Sequence, residues 1–456
     1  MDSTFGTVAG DITIQAGVDP SDQFTTDRQY AQIGHGGLRL AGDHSGKIDV
    51  IGGNISLQGG GNNTETDDSY AQIGHGGRES DGDHSGDIVV DAQDKGGSTG
   101  ILTLLSGAGD RAYSQIGHGG SNSDGTKDGD ITVSAIGAIS LTGSQVLTDG
   151  AAAPVNSGPG AFVQIGHGGQ SADGNTSGSI GVTTDSTFTA QTGIRNDSYA
   201  QLGHGGRGAR GDHGVATNTL GLTAGGDITF AGGVTGERNY AMLGHGGHDA
   251  DNPNSGIYPA TGPLAAQRVG NTADITVTST GGAIAFSSGG QNESFAQLGH
   301  GGAFTDGDHT GTITVSANTD VTFNGAANAG TVADSGQQAN ERYVMLGHGG
   351  ERASGSQTGA IDVDAGGAIT FTGANNSGGF AQIGHGGRND NRINNGNGNN
   401  NNDRYFAGTH IGQIDVEAVS GITFSSGSGF NAYSKVGHGG VASDAIAGEG
   451  HSGAIN

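Results

Sequence analysis

The chain of 456 residues contains no cysteine, which excludes disulfides and thiolate metal sites. A chain without thiols also suits a protein that crosses membranes unfolded, because oxidation cannot trap it. Proline is scarce, at six residues, and three of these (Pro253, Pro259, Pro263) fall in one stretch. Basic residues are scarce as well. There are 18 Lys and Arg against 45 Asp and Glu, a formal charge of -27. Affinity for phosphate backbones comes from Lys and Arg, so nucleic acid is not an expected partner. Anionic membrane surfaces are disfavoured on the same grounds. No apolar run approaches the ~20 residues of a membrane helix, so membrane insertion is not expected. The start, Met1-Asp2-Ser3-Thr4-Phe5-Gly6, lacks the basic and apolar regions of a signal peptide. The stretch from Gly450 to Asn456 stops where another repeat would begin. A segment of a longer protein, or a subunit with open ends, is therefore expected.

Glycine, in contrast, is abundant, at 96 residues, without a collagen-like period. Many of these glycines belong to one octapeptide. Tyr30-Ala31-Gln32-Ile33-Gly34-His35-Gly36-Gly37 recurs ten times, with its histidine at His35, His75, His118, His167, His204, His245, His300, His348, His385 and His438. The gaps between them are 40, 43, 49, 37, 41, 55, 48, 37 and 53 residues. A self-similar period of this size marks a solenoid, propeller or array. An array can grow without a larger core, because each unit contacts only its neighbours.

Each repeat holds three strand-like segments. Gly129-Asp130-Ile131-Thr132-Val133 typifies the first, Ala138-Ile139-Ser140-Leu141 the second, and the Tyr-Ala-Gln-Ile half of the octapeptide the third. All alternate apolar with polar or small residues, the period of half-buried strands. No stretch shows a helical period. A propeller blade needs four antiparallel strands, whereas only three segments recur. The expected fold is all-β: a single right-handed parallel β-helix of about ten coils, with three short strands and a GHGG corner in each. Loop insertions are expected at 146–160, 249–273 and 388–403, where stacking continues past them.

Repeats such as Gly129-Asp130-Ile131-Thr132-Val133 and Gly367-Ala368-Ile369-Thr370-Phe371, in a chain without cysteine, resemble the filamentous-haemagglutinin-like exoproteins and autotransporter passengers of Gram-negative bacteria. The resemblance covers nearly the whole chain, although the GHGG corner is not a general feature of that family. It implies a secreted right-handed β-helix of an adhesin or surface fibre, located outside the cell or on its surface.

In the third segment the Ala31 position is small or valine in every repeat, and the Ile33 position holds Ile, Leu or Val. The Gln32 position holds Gln seven times, then Met242, Met345 and Lys435. A lysine is hard to bury unpaired, so Gln32 and Tyr30 are expected to point outward and Ala31, Ile33 and His35 inward. Stacking then predicts a column of histidines. It also predicts an external column of Tyr30, Tyr70, Tyr113, Phe162, Tyr199, Tyr240, Phe295, Tyr343, Phe380 and Tyr433, a candidate interaction face. Identical-residue ladders are a normal device of stacked β-structure, which favours a structural role for the histidines. The alternative is Zn²⁺ or Cu²⁺ binding along the column, but such sites need three or four converging ligands.

A second set follows the corner: Asp43-His44, Asp83-His84 and Asp308-His309. These pairs are a second set of metal candidates, for Zn²⁺ or Cu²⁺ through His, and the acidic turns Asp81-Gly82-Asp83 and Asp306-Gly307-Asp308 offer carboxylates to Ca²⁺. Other repeats lose the histidine, as at Asn175-Thr176-Ser177, which favours turn chemistry. No cofactor is therefore assigned. An enzyme needs one asymmetric acid–base site, whereas every candidate here recurs. The expected function is a non-enzymatic shaft whose partners are itself, head to tail or laterally, or surface glycans. The alternatives are a polysaccharide-binding or polysaccharide-degrading β-helix and a metal-binding histidine filament.

Overall fold

The structure, a computed structural model, describes residues 3–4, 10–17, 28–60, 67–144, 160–251, 270–325, 342–388, 408–441 and 451–456. The three insertions at 146–160, 249–273 and 388–403 lie largely outside the described residues. The chain is a right-handed parallel β-helix. Three ten-stranded parallel sheets run the length of the rod, with one strand from each coil in each sheet. Strands of the first sheet are exemplified by Ile88–Ala92, those of the second by Leu102–Leu105, and those of the third by Tyr113–Ile116. At ~4.8 Å per rung, ten rungs make a rod of roughly 48 Å. Among the described residues every regular element is a strand.

Pairing holds strict register. Ile131 lies over Ile88 and under Ile180 in the first sheet, and Leu102 lies between Ile55 and Ile139 in the second. This register follows from the period-2 pattern, because a one-residue slip would turn every apolar side chain to solvent. Both sheets bury alternate positions and leave the others half-exposed. The inward residues of all three sheets form one continuous core. Within it, Phe230, Phe286, Phe323 and Phe371 stack with centroids 4.5 to 4.8 Å apart. Each fully buried side chain of this size contributes about 1.5–3 kcal/mol.

A fourth, shorter ladder joins the three expected strands. It consists of two-residue strands such as His84–Ser85 and His309–Thr310, with isolated bridges through His213 linking its two halves. It lies in the turn that returns from the third sheet to the first.

The GHGG corner must be glycine for a reason set by coil spacing. In the first nine copies, a Cβ on the first glycine would lie 1.9 to 2.2 Å from the carbonyl group of the glycine in the next coil. That glycine also has φ of 140 to 156° in these nine copies, a region that other residues avoid.

Candidate functional site

The third sheet departs from the expected orientation. Its four-residue strands are buried on both faces from Tyr70–Ile73 to Phe380–Ile383. Ala71 and Ile73 face the main core. Tyr70, Tyr113, Phe162, Tyr199, Tyr240, Phe295, Tyr343 and Phe380 form a second core, instead of an external face. Only Tyr30, in the first rung, is exposed, at 47%, and Tyr433 in the last is half-buried. The physical reason is that the chain after GHGG folds back across the outer face of the sheet. Ala303 packs in the second core. A Cβ on the last glycine of the corner would meet the tyrosine hydroxyl, as Gly77 would meet that of Tyr70.

The aromatic rings stack at 4.6 to 5.1 Å, nearly parallel. The Gln32 position is buried beside them. The Nε2 of Gln72 donates to the carbonyls of Gly117 at 2.9 Å and Gly119 at 2.7 Å, tying one corner to the next. From Gln164 onward, the tyrosine hydroxyl of the following coil donates back to the amide oxygen, whereas the buried hydroxyls of Tyr70 and Tyr113 make no such bond. Tyr240 reaches Gln201 at 3.3 Å, Tyr343 reaches Gln297 at 3.1 Å and Tyr433 reaches Gln382 at 3.2 Å. Where Gln becomes Met242 or Met345, the next ring is Phe295 or Phe380, which has no hydroxyl to place. Both methionines are followed by phenylalanine, and only Phe162 follows a glutamine, Gln115, whose Oε1 is buried without a partner; this partial covariation between neighbouring repeats was readable in the sequence and fits a buried face. Lys435, which suggested exposure, lies in the last rung, where its Nζ donates to the carbonyls of His438 and Gly439 at 2.8 and 2.6 Å.

The corner histidines stack with centroids 4.7 to 5.0 Å apart, from His35 to His438. Each N–H of the corner donates to the ring of the next coil. His35 N reaches His75 Nδ1 at 2.9 Å, and the series runs unbroken to His385 N and His438 Nδ1 at 3.0 Å. Nδ1 is thus an acceptor, which leaves the ring proton on Nε2. That proton is donated to a turn carbonyl: His118 to Gly86 at 2.7 Å, His204 to Gly178 at 2.9 Å, His348 to Gly311 at 2.8 Å. Burial is the first cause that lowers these pKa values, to about 3 at His118 and His300 and about 4 at His204. One ring breaks the pattern. His245 Nε2 is buried with no partner. Its coil carries the turn His213-Gly214, which lacks the Ser or Thr that separates His from Gly in the Asp-His-Ser/Thr-Gly turns.

The Asp-His pairs do not converge on a common point. Successive residues of a strand point to opposite sides. His84 and His309 are fully buried, and His44 is half-buried, whereas Asp43 and Asp83 are exposed and Asp308 is half-exposed. The carboxylates accept backbone N–H groups of the next coil. Asp43 takes Asp83 N at 2.9 Å, Asp83 takes Thr126 N at 2.8 Å and Asp308 takes Ser356 N at 2.7 Å. Among the described residues no three His, Asp or Glu side chains are grouped to hold a metal ion.

The buried partners of the short ladder vary: His84, Lys127, Thr176, His213, Asn271, His309, Gln357 and His410. Lys127 donates to the carbonyls of Ser123 at 2.9 Å and Asp173 at 2.7 Å, and burial lowers its pKa to about 8.

Charged pairs flank the aromatic column, and nothing in the octapeptide announces them. Arg28, Asp68 and Arg111 occupy one left-handed corner in successive coils, with φ of 65, 61 and 54°. Asp68 receives Arg111 at 2.5 Å and the buried Arg78 at 3.0 Å. Asp197 and Arg238 repeat the pairing at 2.6 Å. These cross-coil ion pairs occupy positions that glycine would otherwise favour. Nearby, His248 is buried against Asp249 at 2.9 Å and Glu293 at 3.8 Å. Burial disfavours its charge, but the two carboxylates prevail and raise its pKa to about 9. No family model, curated protein or solved structure matches the chain.

Proposed function

We propose that this chain is a non-enzymatic structural rod, the shaft of an extracellular adhesin or surface fibre. One observation carries the reading. The chemistry-bearing side chain that recurs in every coil is occupied in holding that coil to the next. From His75 to His438, each corner ring accepts a backbone N–H at Nδ1, and all but His245 meet a backbone carbonyl at Nε2. An imidazole so engaged has no lone pair left for a metal and no free proton for acid–base catalysis. The acidic surface adds to this, because it opposes anionic polysaccharides as substrates. An outside or surface location follows from the resemblance to secreted exoproteins.

The test is a panel of neutral and acidic polysaccharides incubated with the purified chain. No cleavage is expected. Turnover abolished by a single substitution would overturn the reading. Zinc or copper retained at a fixed ratio after purification would favour the metal-binding alternative instead.

A further inference from the structure

The outer surface of the second sheet differs from the rest of the molecule. Each of its ten strands presents two or three outward positions, and none of them holds a charged residue. One column is almost wholly hydroxyl-bearing, with Thr103, Ser140, Thr189, Thr229, Thr322 and Thr370 among its members. The companion column, two residues on, runs through Gln58, Thr142, Gln191 and Thr372. The first sheet, by contrast, turns Asp49, Asp91, Asp362, Asp364, Asp415 and Glu417 outward. Acidic residues return only at the margin of the second sheet. There Asp11, Asp227 and Asp320 accept the N–H groups of Asn54, Ala283 and Ala368 in the next coil.

We infer that the outer face of the second sheet is a lateral interface, and that its occupant is the same face of a second copy of this chain. Three arguments lead there. Two molecules that each carry a formal charge of -27 repel over most of their surface, and this face is where they can approach without opposing charges. The first column is Thr or Ser in every rung but that of Ala285, and its companion is uncharged throughout, so two faces related by a two-fold axis present a matching hydroxyl ladder along most of their length. Paired in-register sheets with such ladders interdigitate as dry zippers about 10 Å apart. Threonine suits this role because its β-branched side chain loses little freedom on contact. The size is also adequate. Ten rungs by four residues cover about 48 by 13 Å, roughly 1,200 Å² over both copies, above the ~1,000 Å² expected of a specific interface. No aromatic side chain points outward here, so the face offers no platform for stacking a sugar ring.

This pairing rests on the reading of the chain as a structural rod. The test is sedimentation equilibrium with small-angle scattering on the whole chain, from 10 to 150 mM salt. Screening falls from about 30 to 8 Å over that range, so association should strengthen with salt. The expected product is a dimer of unchanged length and doubled cross-section. Thr189→Asp with Thr229→Asp and Thr322→Asp should weaken association at least tenfold. Thr132→Asp with Thr276→Asp and Thr314→Asp, on the first sheet, should leave it within about twofold. Circular dichroism checks each fold, and Thr229→Asp alone replaces the triple variant if that variant does not fold. A single folded rod at every concentration and salt would overturn the pairing and leave the structural reading intact. So would a particle that lengthens without widening, or equal loss in both variants.

Discussion

Two columns of buried side chains run side by side through the turns of this rod, and they differ in tolerance. The corner column is histidine in all ten coils, whereas the short-ladder column accepts His, Lys, Thr, Asn or Gln. Burial does not separate them, since His118 and Lys127 are both fully inaccessible. Directional bonding does. A corner ring must accept one backbone N–H and donate to one backbone carbonyl at a spacing set by neighbouring coils. A short-ladder side chain meets whatever lies nearest: His84 meets Ser80 Oγ at 3.3 Å, Thr176 meets His213 Nδ1 at 3.0 Å and Gln357 meets the Ser354 carbonyl at 3.4 Å. Invariance within a repeat thus reports how many main-chain groups depend on a side chain.

Acid should break both columns and have the largest effect. Burial lowers the folded pKa of His118, His300, His213 and His309 to about 3 and that of His204 and His84 to about 4, against about 6.5 when unfolded. Below pH 6.5 the unfolded chain takes up protons that the fold refuses, so stability is full above that pH and declines as pH falls towards 4. A urea midpoint unchanged between pH 7 and pH 4 would contradict neutral columns. His248 has the opposite sign. Its contribution is full below pH 6.5 and fades as pH rises towards its folded pKa of about 9.

Substitution within one column sharpens the contrast. His204→Phe strands the N–H of His167 and the carbonyl of Gly178. A loss of roughly 2–5 kcal/mol is expected, read as a lower urea midpoint. The aromatic column supplies an intermediate case. Tyr343→Phe should cost about 1 kcal/mol by leaving the Gln297 oxygen unpaired, and adding Gln297→Met should recover part of it. A double-mutant cycle with no coupling would remove the explanation offered for Met242 with Phe295. The smallest effect belongs to the variable column. His309→Gln should change stability by less than about 1 kcal/mol, because Gln357 already fills the next rung.

Much of this architecture was legible because stacking turns sequence repetition into spatial register. Aligning Ile88, Ile131 and Ile180 is enough to pair their strands. The buried aromatic column was misread for an equally physical reason. Alternation along a strand tells which side chains face away from the main core, but not whether another segment covers them. The covering chain, such as Gly77 to Asp83, is short, polar and glycine-rich, and it carries no period of its own. Lys435 points the same wrong way, because in the last rung a lysine can reach the carbonyls of His438 and Gly439, an environment the buried rungs before it do not share. The charged corners from Arg28 to Arg111 were missed because their signs alternate between coils and no common residue type marks them.

The spacing between corner histidines varies from 37 to 55 residues along the chain, yet the rings remain 4.7 to 5.0 Å apart. Every junction is therefore the same bond, whatever lies between. Removing a whole coil, or copying one, would again set a histidine N–H against a histidine Nδ1. Unequal recombination between repeats can lengthen or shorten such a rod in a single step without creating an unfamiliar joint.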